Sequence, residues 1–464
     1  MRLGLSLIAA STLALASAIA APDASACGGC FPPPGENQSV VTDHRMILSV
    51  SQKQTTLYDQ IQYSGEPASF AWVLPISGTV DVGLSADSLF GALGNLTTTV
   101  VQQPPDGCPS PTNCDYEYAS AESGKGGNLA SPTSPPSVDV LKRETVGPYE
   151  TVQLRSTDAK ALENWLTQNG FAIPNDVKPV IAAYVGEGFD FLALKLLPGK
   201  GVQTMRPVRI TTQGASAKLP LRMVAAGTGA VVGITLWVIG EGRYEPQSFP
   251  SFVIKDDDLV WDWGLKASNY KDLRAEKSAA LAGRGWEIET SQKLSRLQVE
   301  SIVRNLARVN PQVGSDYAPI TGSDGAVTKT ADTVREEDLE TLFAGIPSGH
   351  ERATRMRADL AHSALNTDLA LVASADQSDI PQVRTPKGEK GEPLCTVYQG
   401  CDSVGQAPRD EAIKRSDTGG NGESFACATA KKSKSVSGTS LVGATSLAAL
   451  LGLVVVRARR LRKR

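Results

Sequence analysis

The sequence is poor in the residues from which most enzyme and metal sites are built. Its 464 residues include only three histidines, His44, His350 and His362, and none is spaced with a cysteine pair as a zinc site requires. It has no H-E-x-x-H pair, no Walker phosphate loop and no linear arrangement resembling a hydrolase triad. Catalytic groups also gather in space from distant positions, so these absences lower the expectation of an enzyme without removing it. Positive charge is scarce in the body. Residues 27–430 carry 36 Lys and Arg against 48 Asp and Glu, a net of −12 beneath the formal −3 of the whole chain. Such a body lacks the basic footprint of a nonspecific nucleic-acid binder, and no nucleic-acid partner is expected. No internal repeat is found.

The basic residues are concentrated at the C-terminal end. Val436 to Val456 is 21 residues without a charge, long enough to cross about 30 Å of hydrocarbon as a helix. "RARRLRKR" (457–464) follows with six positive charges, which orients that end to the cytoplasm. At the other end Arg2, an apolar run and Ala24-Ser25-Ala26 read as a signal peptide over 1–26, with a second cleavage point after Ala18-Ile19-Ala20. Together the ends predict an exported body outside the inner membrane, held by a membrane helix with a short basic tail. The C-terminus also resembles the tripartite sorting signals of myxobacterial surface proteins, with Cys427 as the sorting or lipid residue. Lys431, Lys432 and Lys434 replace the usual tight junction, so a plain single-span anchor stays open.

Between the ends the pattern is α+β. Residues 39–51, 54–65 and 67–76 alternate apolar and polar positions and predict three successive strands, an antiparallel β-meander with one buried face. Residues 85–96 predict a helix capped by Ser85, and 158–170 one capped by Asp158 and stopped by Gly170. Apolar β-branched runs predict further strands between 190 and 240, and helices collect later, at 268–282, 292–309, 333–344 and 351–364. In the last of these, Arg352, Arg355 and Asp359 read as a helical salt-bridge face. The folded body is thus expected over 27–375. Residues 102–140, rich in Pro, Ser, Gly and Asn, read as a flexible loop, and 376–435 as a disordered tether.

The seven cysteines are Cys27, Cys30, Cys108, Cys114, Cys395, Cys401 and Cys427. The first six form three close pairs, which in an exported chain read most simply as local disulfides, although six cysteines allow 15 pairings. Cys27-x-x-Cys30 stands before Phe31 and three prolines, where no helix can begin to lower a thiol pKa, so a redox site is not expected. Lipidation at Cys27 wants Leu three residues earlier, where Ala24 stands. "GTGAVVG" (227–233) precedes a strand-like run rather than a helix and reads as a turn. "DDDLVWDWG" (256–264) offers Asp256, Asp257, Asp258 and Asp262 as oxygen ligands for calcium. It lacks the spacing of an EF-hand, and a solvated turn with Trp261 and Trp263 packed to one side is favoured. Asp43 and His44 are the remaining acid–base nominees, with no nucleophile at a telling spacing.

Cys27-Gly28-Gly29, Ile61 with Tyr63 and Gly65, Phe70 to Pro75, and Leu89-Phe90 with Leu93 together resemble a bacterial secreted family, domain of unknown function 2330. "ATRMRADL…TDLALVAS" (353–374) looks like that family's closing region, so the resemblance is drawn over roughly 27–375. It implies no activity, since none maps onto residues. The reading reached is an exported, membrane-anchored envelope protein that binds or builds rather than catalyses, with a partner at the envelope or cell surface and no cofactor. The alternative is an exported hydrolase or calcium-dependent enzyme using Asp43, His44 and the Asp256–Asp262 cluster.

Overall fold

In the strand Val40–Val50, Met46 and Leu48 face one way, Ile47 faces the other, and all three are buried. A strand covered on both faces needs a layer on each side, and that demand organises the body. The computed structural model describes residues 40–64, 71–110, 140–171, 173, 175, 177–198, 205–225, 230–309, 317–321, 326–400 and 402–417. They fall into two compact units, the larger drawn from 1–107 and 118–393, the smaller from 108–117 and 394–464.

The larger unit is built on an eight-stranded mixed sheet. Its strands run, edge to edge, Ser251–Phe252, Trp286–Lys293, Arg352–Ala361, Val231–Gly240, Val40–Val50, Gln54–Ser64, Val208–Gln213 and Asp81–Leu84. Val40–Val50 pairs in parallel with Val231–Gly240 and antiparallel with Gln54–Ser64. A second, antiparallel sheet contains Ala71–Ile76, Asp190–Leu196, Tyr149–Leu154 and Val140–Val146, in that order.

One core lies between the sheets, with Met46, Leu48, Leu236 and Met356 from the first meeting Trp72, Leu192 and Leu194 from the second. The outer face of the large sheet, through Ile47, Tyr58, Trp237 and Ile239, is covered by the helices Asp87–Thr97, Arg296–Val309 and Ala331–Leu342. The outer face of the small sheet, through Val73, Phe191 and Ala193, is covered by Ala159–Gln168 and Lys178–Gly186. The order of layers is helix, sheet, sheet, helix. The period-two alternation of Phe191 to Leu194 between two different cores is the local cause.

The α+β expectation stands at this level, with corrections in detail. The first three strands do not form one meander. Ala71–Ile76 joins the second sheet, and Val40–Val50 takes a distant parallel neighbour. Alternation marks which side chains share a face, but it names no partner strand. The expected helix at 351–364 is instead the strand Arg352–Ala361 with a single helical turn at His362–Ala364. Met356, Ala358 and Leu360 keep period two, and the charges pair off the strand: Arg352 with Asp379, Arg355 with Glu289, and Asp359 with Arg274. Ser85 is not a cap, because Ala86 holds that place and the Ser85 hydroxyl donates instead to Asp338 Oδ2 at 2.5 Å. Asp158 does cap its helix, accepting from the Lys160 and Ala161 amides.

The tether expected from 376 onward is also corrected. Val383–Arg384 pairs in parallel with Val100–Val101, and Gly388–Lys390 with Val260–Asp262. Trp263 Nε1 donates to Glu389 at 2.7 Å, and buried Arg384 donates to the Glu289 carbonyl. Polar composition hid these elements because backbone pairing, rather than apolar burial, holds them. In the smaller unit, a hairpin of Leu394–Gln399 and Asp402–Pro408 packs on the helix Arg409–Asp417 through Cys395, Val397, Ala407 and Ala412. Cys108 and Cys395 form a disulfide with Cα atoms 5.3 Å apart, so neither pairs with its sequence neighbour as the close-pair reading expected. Cys27, Cys30, Cys114, Cys401 and Cys427 lie outside the described residues, as do the signal peptide and Val436 to Val456. Among the described residues no helix is long and apolar enough to cross a membrane.

Candidate functional site

The one histidine nominated for acid–base work lies between the two sheets. His44 and Met46 are two apart on one strand and share a face. In the antiparallel register Met46 stands opposite Asp59, which shares the inward face of Leu57. His44 and Asp59 are both buried, and His44 Nδ1 lies 3.8 Å from Asp59 Oδ1, beyond hydrogen-bond reach. Trp72 and Leu74 of the small sheet and Leu221 and Met223 of the short helix Leu221–Val224 close the pocket. Its interior, about 20 Å³, holds a single water-sized occupant. The structure thus gives His44 a carboxylate partner, Asp59, that the sequence reading missed. The side chain of Asp43, the partner proposed there, is outside those described. A carboxylate beside an imidazole is half of a general-base arrangement. No serine, threonine or cysteine is among the described residues lining the pocket, and the space admits no substrate.

The acidic run 256–262 is not gathered. Asp256–Asp258 forms one 3-10 turn, where Asp258 accepts from the Lys255 amide and pairs with Lys277 at 3.6 Å. Asp262 is engaged separately. Lys390 sits 2.8 Å away, and the Gly264 and Leu265 amides also donate to it. Lys390 and these amides hold its carboxyl below the usual range. Trp261 and Trp263 pack edge to face beside the turn, with ring centres 6.3 Å apart. Among the described residues no three His, Cys, Asp or Glu side chains gather to hold a metal ion.

Two buried acid clusters were not nominated from the sequence. Asp338, fully buried, accepts from Ser85, Tyr317 and Arg209, while Tyr58 donates to its backbone carbonyl. Burial pushes its carboxyl up against the opposing pull of Arg209, and the same burial raises the Tyr58 and Tyr317 hydroxyls. On the other side of the sheet's centre, Glu287 accepts from the Tyr270 hydroxyl at 2.6 Å, and Glu289 lies 2.9 Å from Arg355 Nε. Burial pushes Glu287 up to about 7, with the Glu289 charge adding to the rise and Tyr270, Arg274 and Arg384 opposing it. Burial likewise lowers Arg355. A residue-level signal was present for Asp338 and for Asp59 of the His44 pocket. Asp59 occupies the apolar parity after Leu57, and Asp338 the apolar helical stripe of Val334 and Leu342.

No curated protein matches the chain. Solved structures similar to it include baculovirus P35, at 12% identity and TM-score 0.25 over 46% of this chain and 68% of that one. Another is a mutated baculovirus P35 after caspase cleavage, at 12% identity and TM-score 0.25 over 46% and 70%. At those values the likeness carries no argument about fold or function. Residues 21–303 match the family described as an uncharacterized protein conserved in bacteria, so that 353–374 lies beyond the matched span. The matched stretch covers both sheets' leading strands and more than half of the chain, which therefore belongs to that bacterial family, DUF2330.

Proposed function

We propose that this chain is an exported envelope protein, displayed outside the inner membrane on the Val436 to Val456 span, that acts by binding or as a structural element rather than by catalysis. The observation that carries the reading is the Cys108–Cys395 disulfide, whose sequence separation is 287 residues. Such bonds persist in oxidising compartments and are rare in a reducing cytosol. The acidic body, the apolar runs at both ends and the basic C-terminal tail are consistent with it. The noncatalytic part is supported by how ionisable groups are used: Asp338, Glu289 and Asp262 each tie separate elements together.

Protease shaving of spheroplasts tests the topology. The expected result is digestion of the body from outside, leaving a short C-terminal fragment protected by the membrane. A body that survives until the cells are lysed, or Cys108 and Cys395 that accept a thiol reagent without prior reduction, overturns the proposal.

A further inference from the structure

The chain has five methionines, and two of them, Met46 and Met223, line the pocket that also contains His44 and Asp59. Elsewhere the lining is aliphatic or aromatic, with Leu57 and Trp72 among it. The interior, about 20 Å³, suits one ion or one water and excludes an organic ligand. Asp59 Oδ1 is buried and accepts no hydrogen bond, although the carboxylate side chain is only 6% exposed. A carboxylate taken out of water needs a compensating positive charge or donors.

The lining chemistry selects among cations. Calcium and magnesium need six or more oxygen ligands, and one carboxylate supplies two at most. Thioethers are soft ligands that favour copper(I), and imidazole suits copper as well. We propose that this pocket binds a single copper(I) ion through Met46, Met223 and His44, with Asp59 supplying the neutralising charge. The register explains why the set converges. Met46 lies two residues from His44 on one strand and directly across from Asp59 on the next, and the short helix brings Met223 over them.

The test uses the full chain in detergent, with free thiols alkylated because thiolates also bind copper(I). Under anaerobic ascorbate the protein competes with bicinchoninate for copper(I), read as loss of the coloured complex. Wild type is expected to withdraw one equivalent. Met46→Leu and Met223→Leu, which nearly conserve volume, are expected to weaken binding at least tenfold, and Met205→Leu to leave it unchanged. X-ray absorption of the loaded wild type should report sulfur ligands, which keeps the question decidable if a variant misfolds. No copper withdrawn, a water-filled pocket under these conditions, or binding indifferent to Met46→Leu and Met223→Leu overturns the proposal.

Discussion

Replacing Cys108 and Cys395 together by alanine should destabilise the body, although both cysteines belong to the small unit. The bond closes a loop of 287 residues that contains most of the three main cores. In the chain-entropy account, closing a loop of that length restricts the unfolded state by about 5.7 kcal/mol at 25 °C, and losing a native disulfide commonly costs about 2–5 kcal/mol. With an m of about 3 kcal/mol/M in urea, the midpoint should fall by about 0.7–1.7 M. Six tryptophans report the transition, and three are fully buried: Trp237 and Trp286 on opposite faces of the large sheet, and Trp72 on the small sheet. Alanine suits the site because Cys395 packs among Val397, Ala407 and Ala412 and leaves no room for a stray polar group. Urea titrations of oxidised wild type and the double variant, followed by tryptophan fluorescence, give the comparison. Equal midpoints would refute the reasoning, since the bond would then not restrict the chain that forms the body.

Glu287 carries a pH signature. Its folded pKa, about 7, lies above the ordinary 4.5, so the folded state holds its proton where the unfolded state has lost it. Stability should therefore fall as pH rises from about 4.5 to 7, and Glu287→Gln should remove about 2–3 kcal/mol of that fall. Urea midpoints at pH 5 and pH 8 measure it, and an unchanged slope in the variant counts against the assignment. Asp338→Asn leaves Arg209 facing a neutral amide in a buried site and should cost about 2–4 kcal/mol. A double-mutant cycle with Arg209→Met should show coupling above 1 kcal/mol, on the order of that for a direct buried pair; additive losses would deny the pairing.

Strand parity was legible. The alternation in 54–65 and 67–76 marks the buried faces that Leu57, Trp72 and Leu74 occupy, and Asp158 announced its helix. What alternation does not encode is the neighbour: nothing in 40–50 names Val231–Gly240 as its parallel partner. Arg352, Arg355 and Asp359 misled because spacings of three and four fit a helix, while their true partners Asp379, Glu289 and Arg274 lie on other segments. The strands at 383–384 and 388–390 escaped notice because their stabilisation is backbone pairing, which leaves no hydrophobic trace. Within the candidate site, His44 was visible as a rare residue. Asp59 was passed over because an acid on a strand is ordinarily read as facing water.

The central pairing has a consequence for the order of assembly. A chain made from its N-terminus has the Val40–Val50 and Gln54–Ser64 hairpin early, yet the strand that flanks it is Val231–Gly240, and that strand's other neighbour is Arg352–Ala361. Ile47 and Trp237 can meet only after most of the body has been synthesised. Non-local pairing of this kind folds slowly, because loop closure precedes the contacts that reward it. Until then the Met46–Leu48 face and the Leu57–Tyr58 pair have no cover. The nascent hairpin is the aggregation-prone stage of this protein, and a holdase acting on it should raise yield more than one acting on any later segment.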